Sequence, residues 1–202
     1  MSKVTDIQLQ KNTPGRYSVF LDGEFSFGIS DIDLYNLGIK VGMEIDDEFM
    51  ALIEETVDFK KCLDYGTELI SRKMYSEKEL KDKLTQRGYT DSAIKSTLDI
   101  MTEYGYINDE MYAKTYCEFK GKKDGVKKIR YDLSLKGIRK DIIEKYVSEI
   151  ENDDVLLKLL EQKIKGNTDD RKIIDKAIRY CISKGFEYDK IKSCLMKLGE
   201  DV

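Results

Sequence analysis

The chain has 202 residues, 41% of them hydrophobic and 37% charged, with one proline and a formal net charge of −4. That is enough apolar material for one large or two small buried cores, and so charge-rich and proline-poor a chain favours solvent-covered helices. No histidine is present, which removes Ser-His and Cys-His nucleophile pairs, the imidazole base and the usual zinc sites together.

Neither a G-x-x-x-x-G-K-[ST] nor a G-x-G-x-x-G run occurs, so no glycine-rich phosphate cradle is expected. Catalytic residues, metal ligands and cofactors are all expected to be absent, and the chain is not expected to be an enzyme. Cys62, Cys117, Cys181 and Cys194 are scattered without a C-x-x-C pair; helix-buried, reduced thiols are the expectation. Met1–Gln10 lacks a signal-type apolar core, and no stretch approaches 18 apolar residues. A cytoplasmic location without membrane contact is therefore expected.

Residues 4–11 alternate loosely, and residues 16–21 and 24–29 are rich in β-branched and aromatic side chains. Asp22-Gly23 between the last two is a hairpin signal, because a type I′ turn needs positive φ at both central residues. Pro14-Gly15 marks the earlier turn. A three-stranded antiparallel meander is predicted, with Tyr17, Val19 and Leu21 on one face. Helical patterns at about 31–37 and 46–70 would cover it. Residues 1–58 carry 4 Lys/Arg against 12 Asp/Glu. A small folding module and an acidic docking surface are both compatible with that balance.

From about residue 71 the chain repeats. Gly88, Gly137 and Gly185 align, 49 and 48 residues apart. Eight residues before them stand Leu80, Ile129 and Ala177; four before, Leu84, Leu133 and Cys181; one before, Arg87, Lys136 and Lys184. Tyr89, Ile138 and Phe186 follow directly, then Ile94, Ile143 and Ile191 six residues on, and Leu98, Val147 and Leu195 ten residues on. This spacing predicts a helix, a left-handed glycine stop with an apolar residue folding back, and a second helix. A third helix is predicted in the first two copies, from about 109 to 121 after Asn108 and from about 153 to 165 after Asn152; in copy three it is short or missing. Ser76 with Glu79 reads as a capping box. The acidic clusters Asp46-Asp47-Glu48, Asn152-Asp153-Asp154 and Asp169-Asp170 read as helix starts. The expected domains are 1–58, 59–121, 122–167 and 168–202.

Three motifs are specific together: Ser76-Glu-Lys-Glu-Leu80 with Leu84, Arg87, Gly88 and Tyr89; Gly105-Tyr-Ile-Asn-Asp-Glu-Met-Tyr-Ala113; and Gly125-Val-Lys-Lys-Ile-Arg-Tyr-Asp-Leu133 followed by Lys136-Gly137-Ile138. In this order they resemble the RecX family of recombination regulators over roughly residues 60–202. The hairpin with Arg16-Tyr17 and Phe25-Ser-Phe-Gly28 is similar to the β-extension of Gram-positive members. The resemblance implies a mainly α fold: three tandem three-helix repeats preceded by a small three-stranded antiparallel β-meander with helices. It further implies a monomeric, non-enzymatic negative regulator that binds the RecA recombinase filament on single-stranded DNA. Filament growth, ATP hydrolysis and strand exchange would be restrained, in homologous recombination, DNA repair and the SOS response. Double-stranded DNA is a further expected partner. Arg139-Lys140 departs from the acidic helix start usual in the family, and copy three carries fewer charges near its glycine than copy two.

Charge supplies the candidate surface. Residues 114–140 hold ten basic and three acidic side chains, whereas 141–161 hold two and seven. A solvated helix face and a phosphate-tracking or acidic-protein surface are the alternatives. The candidates for contact with DNA or the filament are Arg72, Lys73, Arg87, Lys122, Lys123, Lys127, Lys128, Arg130, Arg139 and Lys140. Tyr112, Tyr116, Phe119 and Tyr131 lie among them and could stack bases, although the spacing of the first three suits a helix core. A helical-repeat scaffold binding protein without nucleic acid is the competing expectation.

Overall fold

The structure is a computed structural model that describes residues 1–11, 13–166 and 170–200. The chain divides into two compact units. One comprises Met1–Lys73 with Lys81–Tyr104, and the other Met74–Leu80 with the chain from Gly105 onward.

In the first unit, β1 (Ser2–Leu9), β2 (Arg16–Leu21) and β3 (Glu24–Ser30) form the predicted antiparallel meander. Asp22 and Gly23 take φ of 51° and 92°, as the I′ hairpin turn requires. A fourth strand, β4 (Glu44–Ile45), pairs with β1, so the sheet order is β3-β2-β1-β4. Two residues are too few to show a period-2 pattern, so this strand left no trace in the sequence. Helix α1 (Asp31–Asn36) follows β3, with Ser30 Oγ accepting from Asp33 N at 3.1 Å.

Helix α2 (Asp47–Arg72) starts where Asp46 accepts from Phe49 N at 2.8 Å. Its first turns cover the sheet: Ile53 is buried with Val4, Val19, Phe27, Ile29 and Ile45. Its later turns bury Cys62, Gly66 and Leu69 and pack on α4 (Asp91–Glu103). A Cβ on Gly66 would stand 2.8 Å from Met101 Cε and 3.4 Å from Thr97 Cγ2, so glycine permits the close approach of these two helices. Thr90 caps α4, and Asp58 Oδ2 accepts from Thr90 N (2.9 Å) and Oγ1 (2.6 Å).

Helix α3 (Glu77–Arg87) belongs to the second unit through its first turn and to the first unit thereafter. The predicted capping box is present: Ser76 Oγ accepts from Glu79 N at 3.2 Å, and Glu79 accepts from Ser76 N at 3.3 Å.

The second unit continues with α5 (Asp109–Lys120), α6 (Val126–Leu135), α7 (Lys140–Val147), α8 (Asp153–Ile164), α9 (Arg171–Ser183) and α10 (Tyr188–Glu200). Buried Tyr112, Ala113, Cys117, Ile129, Leu133, Ile138, Ile143 and Val147 join α5, α6 and α7 in one core. Leu156, Leu160, Ile164, Ala177, Cys181, Phe186, Ile191 and Cys194 join α8, α9 and α10 in another.

Gly88, Gly137 and Gly185 have φ of 90°, 80° and 86°. After the last two, Ile138 N donates to Leu133 O and Phe186 N to Cys181 O, the six-to-one bond that closes a glycine-terminated helix. Asn108 and Asp170 cap α5 and α9 with their side chains. Asn152 occupies the cap position of α8 without capping it. It is 2% exposed, and its amide donates to Asp124 O at 3.0 Å, because a buried amide must find a partner. Asp169, read with Asp170 as a helix start, lies outside the described residues.

Successive repeats meet helix end to helix end. At the start of α6, Gly125 N donates to Lys184 O (2.7 Å) and Lys127 N to Gly185 O (3.1 Å) at the end of α9. At the start of α3, Ser76 Oγ donates to Lys136 O (2.7 Å) and Lys78 Nζ to Leu135 O (2.9 Å) at the end of α6. At the first junction free backbone N–H groups meet the carbonyls of another helix end, and at the second a hydroxyl and an ammonium group do so. A Cβ on Gly125 would lie 2.3 Å from the Gly185 carbonyl, and one on Gly137 2.6 Å from Lys78 Cβ.

Candidate nucleic-acid interface

Helix α6 has two faces. Ile129 and Leu133 are fully buried, while Lys127, Arg130, Tyr131 and Ser134 fall on the other side at helical spacing. These four residues form one wall of a groove of about 460 Å³, closed by Ile138, Lys140, Ile143 and Glu144 of α7 and its approach. Ile138 and Ile143 give it an apolar floor, and Tyr131 stands 62% exposed on its rim. Lys127 and Lys140 are exposed and make no ion pair with any described residue.

Helix α7 starts without a side-chain cap, because Arg139 at the cap position accepts nothing. The positive dipole end therefore coincides with Arg139 and Lys140. Cations at that end oppose folding, whereas an anion placed there is favoured. The start of α6 is also free of a side-chain cap, but the carbonyls of α9 occupy it.

Carboxylates answer much of the positive run. Arg130 Nε and Nη2 bind Glu144 at 2.7 and 3.0 Å, and this bond holds the Glu144 carboxyl below its ordinary range. Arg139 pairs with Asp141 at 2.8 Å. Asp124, 3% exposed, receives Lys128 at 3.3 Å and Lys184 at 3.4 Å. Lys136 pairs with Glu79 and lies 5.6 and 5.8 Å from the ring centres of Tyr112 and Tyr116. Those two rings stack at 6.1 Å and 16°. Tyr112 is core, and Tyr116 packs against that core while donating to Asp132 at 3.0 Å. Burial, then the Asp132 bond, pushes the Tyr116 phenol up.

The ten predicted residues thus separate. Lys127, Arg130 and Lys140 converge on the groove. Lys128 and Arg139 flank it in ion pairs. Lys122 borders a different groove of about 280 Å³, whose walls carry Glu118, Glu149 and Glu151. Lys123 Nζ lies 4.8 Å from the ring centre of Phe119, which is 58% exposed. Arg72, Lys73 and Arg87 belong to the first unit, where Arg72 pairs with Glu68 at 2.5 Å and Arg87 stands 5.3 Å over the Tyr65 ring. Tyr131, read from the sequence as a possible base-stacking residue, stands on this groove, whereas Ser134 on the same wall was not among the candidates, although its spacing from Lys127 along α6 was readable.

Among the described residues no His/Cys/Asp/Glu group could hold a metal, and no helix is long and apolar enough to cross a membrane. All four cysteines are buried, and burial pushes the Cys117 and Cys181 thiols up to about 11, where the nucleophilic thiolate is scarce at neutral pH.

A β-module followed by tandem three-helix domains, with a basic groove on the second of them, is the architecture of a helical-repeat protein. Models of the Regulatory protein RecX N-terminal domain and of the first, second and third RecX three-helix domains match residues 2–46, 62–99, 108–146 and 149–195. Regulatory protein RecX from Clostridium botulinum (strain Alaska E43 / Type E3) is 36% identical over 95% of this chain and 94% of its own. The protein of the same name from Clostridium perfringens (strain SM101 / Type A) is 33% identical over 98% and 97%. A crystal structure of regulatory protein RecX superposes with a TM-score of 0.73 at 23% identity, over 96% of this chain and all of that one. RecX from Lactobacillus salivarius gives 0.64 at 25%, over 71% and 98%. The chain belongs to the RecX family of regulatory proteins.

Proposed function

We propose that this protein is a cytoplasmic, monomeric, non-enzymatic negative regulator of the RecA recombinase. It binds the groove of the RecA filament on single-stranded DNA and restrains filament growth, ATP hydrolysis and strand exchange during recombination and repair. Family membership supports the regulatory role. The observation that carries the nucleic-acid part is the α6–α7 groove, where Lys127 and Lys140, without an ion pair to any described residue, flank exposed Tyr131 beside a helix start with no side-chain cap. Two cations spaced along a backbone and one ring for stacking are what a single strand requires.

The test is single-strand-dependent ATP hydrolysis by RecA with added protein. The wild type is expected to suppress hydrolysis, and Lys127→Glu with Lys140→Glu to relieve that suppression at least tenfold in half-maximal concentration. A wild type without effect on hydrolysis or strand exchange defeats the proposal.

A helical-repeat scaffold that binds protein alone is the second reading. The pairing of Lys128, Arg130 and Arg139 with carboxylates favours it, since paired cations attract phosphate weakly. Suppression that survives the double charge reversal, with no gel shift of single-stranded DNA, selects that reading.

A further inference from the structure

The third three-helix domain repeats the backbone of the α6–α7 groove with different side chains. Counted from Gly137 and Gly185, residues 48 apart correspond. Gly137 N donates to Ser134 O and Gly185 N to Ile182 O. Further on, Ile143 N donates to Arg139 O and Ile191 N to Glu187 O. Ile129, Leu133, Ile138 and Ile143 are buried, and so are Ala177, Cys181, Phe186 and Ile191 in the corresponding places. The same helix stop and the same core positions leave the corresponding outer face of α9 and α10 to solvent.

That face is aromatic and cationic. Tyr188, in the place of Lys140, is 56% exposed, and Ile182, in the place of Ser134, is 47% exposed. Arg179 replaces Tyr131 and Lys192 replaces Glu144; both are exposed and make no ion pair with a described residue. Arg179 and Ile182 share a face of α9, as Tyr188 and Lys192 share one of α10. In the second domain Glu144 neutralises Arg130. In the third, Ile178 and Lys192 stand in their places, and that carboxylate is gone. Asp175 is the one acid of α9, and it meets Arg179 Nε through its backbone carbonyl at 3.2 Å. Residues 171–192 carry seven bases against three acids.

The two faces are contiguous. The end of α9 meets the start of α6 through the bonds from Gly125 N and Lys127 N. Glu187, directly before Tyr188, lies near enough to Arg130 that, after the Glu144 bond, it helps to hold the guanidinium charged.

Resting on the reading of the α6–α7 groove as a single-strand site, we propose that the strand continues from that groove onto α9 and α10, where Tyr188 stacks a base and Arg179 and Lys192 take flanking phosphates. Charge complementarity selects a polyanion, and the exposed ring selects one whose bases are free to stack. The third domain therefore lengthens the bound strand instead of only extending the helical array.

The chain has no tryptophan, so Tyr131→Trp and Tyr188→Trp each install a single reporter whose fluorescence a stacked base quenches. A twelve-nucleotide oligothymidylate is expected to quench both variants. In fluorescence anisotropy with the same strand, Tyr188→Ala is expected to bind about tenfold more weakly, as is Arg179→Glu with Lys192→Glu. Tyr188→Phe keeps the ring and should stay within about twofold of the wild type. An unquenched Tyr188→Trp variant, or a Tyr188→Ala variant that binds as the wild type does, overturns this inference. Quenching of the Tyr131→Trp variant in the same titration leaves the groove reading standing, whereas a wild type that binds no strand removes both. Equal quenching of the Tyr188→Trp variant by a blunt duplex, whose bases are already stacked, also overturns it. So does equal quenching by polyglutamate, which assigns the face to an acidic protein.

Discussion

The Glu79 carboxylate closes the capping box of α3 and pairs with Lys136 just past the end of α6. Burial raises its proton affinity, but the hydrogen bonds from Lys136 and Ser76 outweigh burial and hold it below its ordinary value. A carboxyl depressed in the folded state contributes stability above its unfolded value, and that contribution disappears as pH falls through the folded one. Glu79→Gln keeps the capping geometry and removes the charge. It should cost about 1–2 kcal/mol at pH 7, and the gap to wild type should close in acid below the usual carboxylate range; urea unfolding at pH 7 and pH 3 checks this. Lys140 is the opposite case, a cation at the positive end of α7. Lys140→Glu should raise stability by about 0.3–1 kcal/mol while weakening single-stranded DNA binding, so thermal unfolding and a binding titration should move in opposite directions.

Repeats of this chain are joined at helix ends, so substitutions there act on whole elements. Gly125 has φ of −79°, a conformation open to any residue, and its contact with the Gly185–Phe186 peptide excludes a side chain. Gly125→Ala should therefore destabilise the second unit by about 2–3 kcal/mol through overpacking and loss of the Gly125–Lys184 bond. The denaturation midpoint should fall, and amide exchange should accelerate at the start of α6 and the end of α9. Gly88, Gly137 and Gly185 were legible as helix stops because a left-handed cap follows from residues within one turn. The close packing of Gly137 against Lys78 and of Gly185 against Gly125 was not, because the latter pair meet across 60 residues of chain.

Across the molecule, the positive run between 114 and 140 is smaller in space than along the chain. Of the ten predicted residues, Arg72, Lys128, Arg130 and Arg139 are in ion pairs. In the second unit, Lys122, Lys123, Lys127 and Lys140 make no ion pair with a described residue. If those four cations alone track phosphates, the slope of log Kobs against log salt on a single strand should be about −3; engagement of all ten would give about −7. A salt titration of single-stranded DNA binding by fluorescence anisotropy decides between them.

The sequence by itself determined what depends on neighbours a few residues away: the Asp22-Gly23 hairpin, the Ser76–Glu79 capping box, the glycine stops, the length of α2 and the amphipathic helices of the repeat. It also placed the chain in its family, because three local motifs in register are specific. Only the tertiary structure decided which helices share a core. Counted from the glycine register, α5 closes the first copy, yet Tyr112, Ala113 and Cys117 are buried with α6 and α7. A three-helix period reads the same from any starting helix, and burial alone breaks that equivalence. The free cations were settled in the same way. Glu144 reaches Arg130 across 14 residues and Lys184 reaches Asp124 across 60, and such pairs exist only once the helices that carry them are packed.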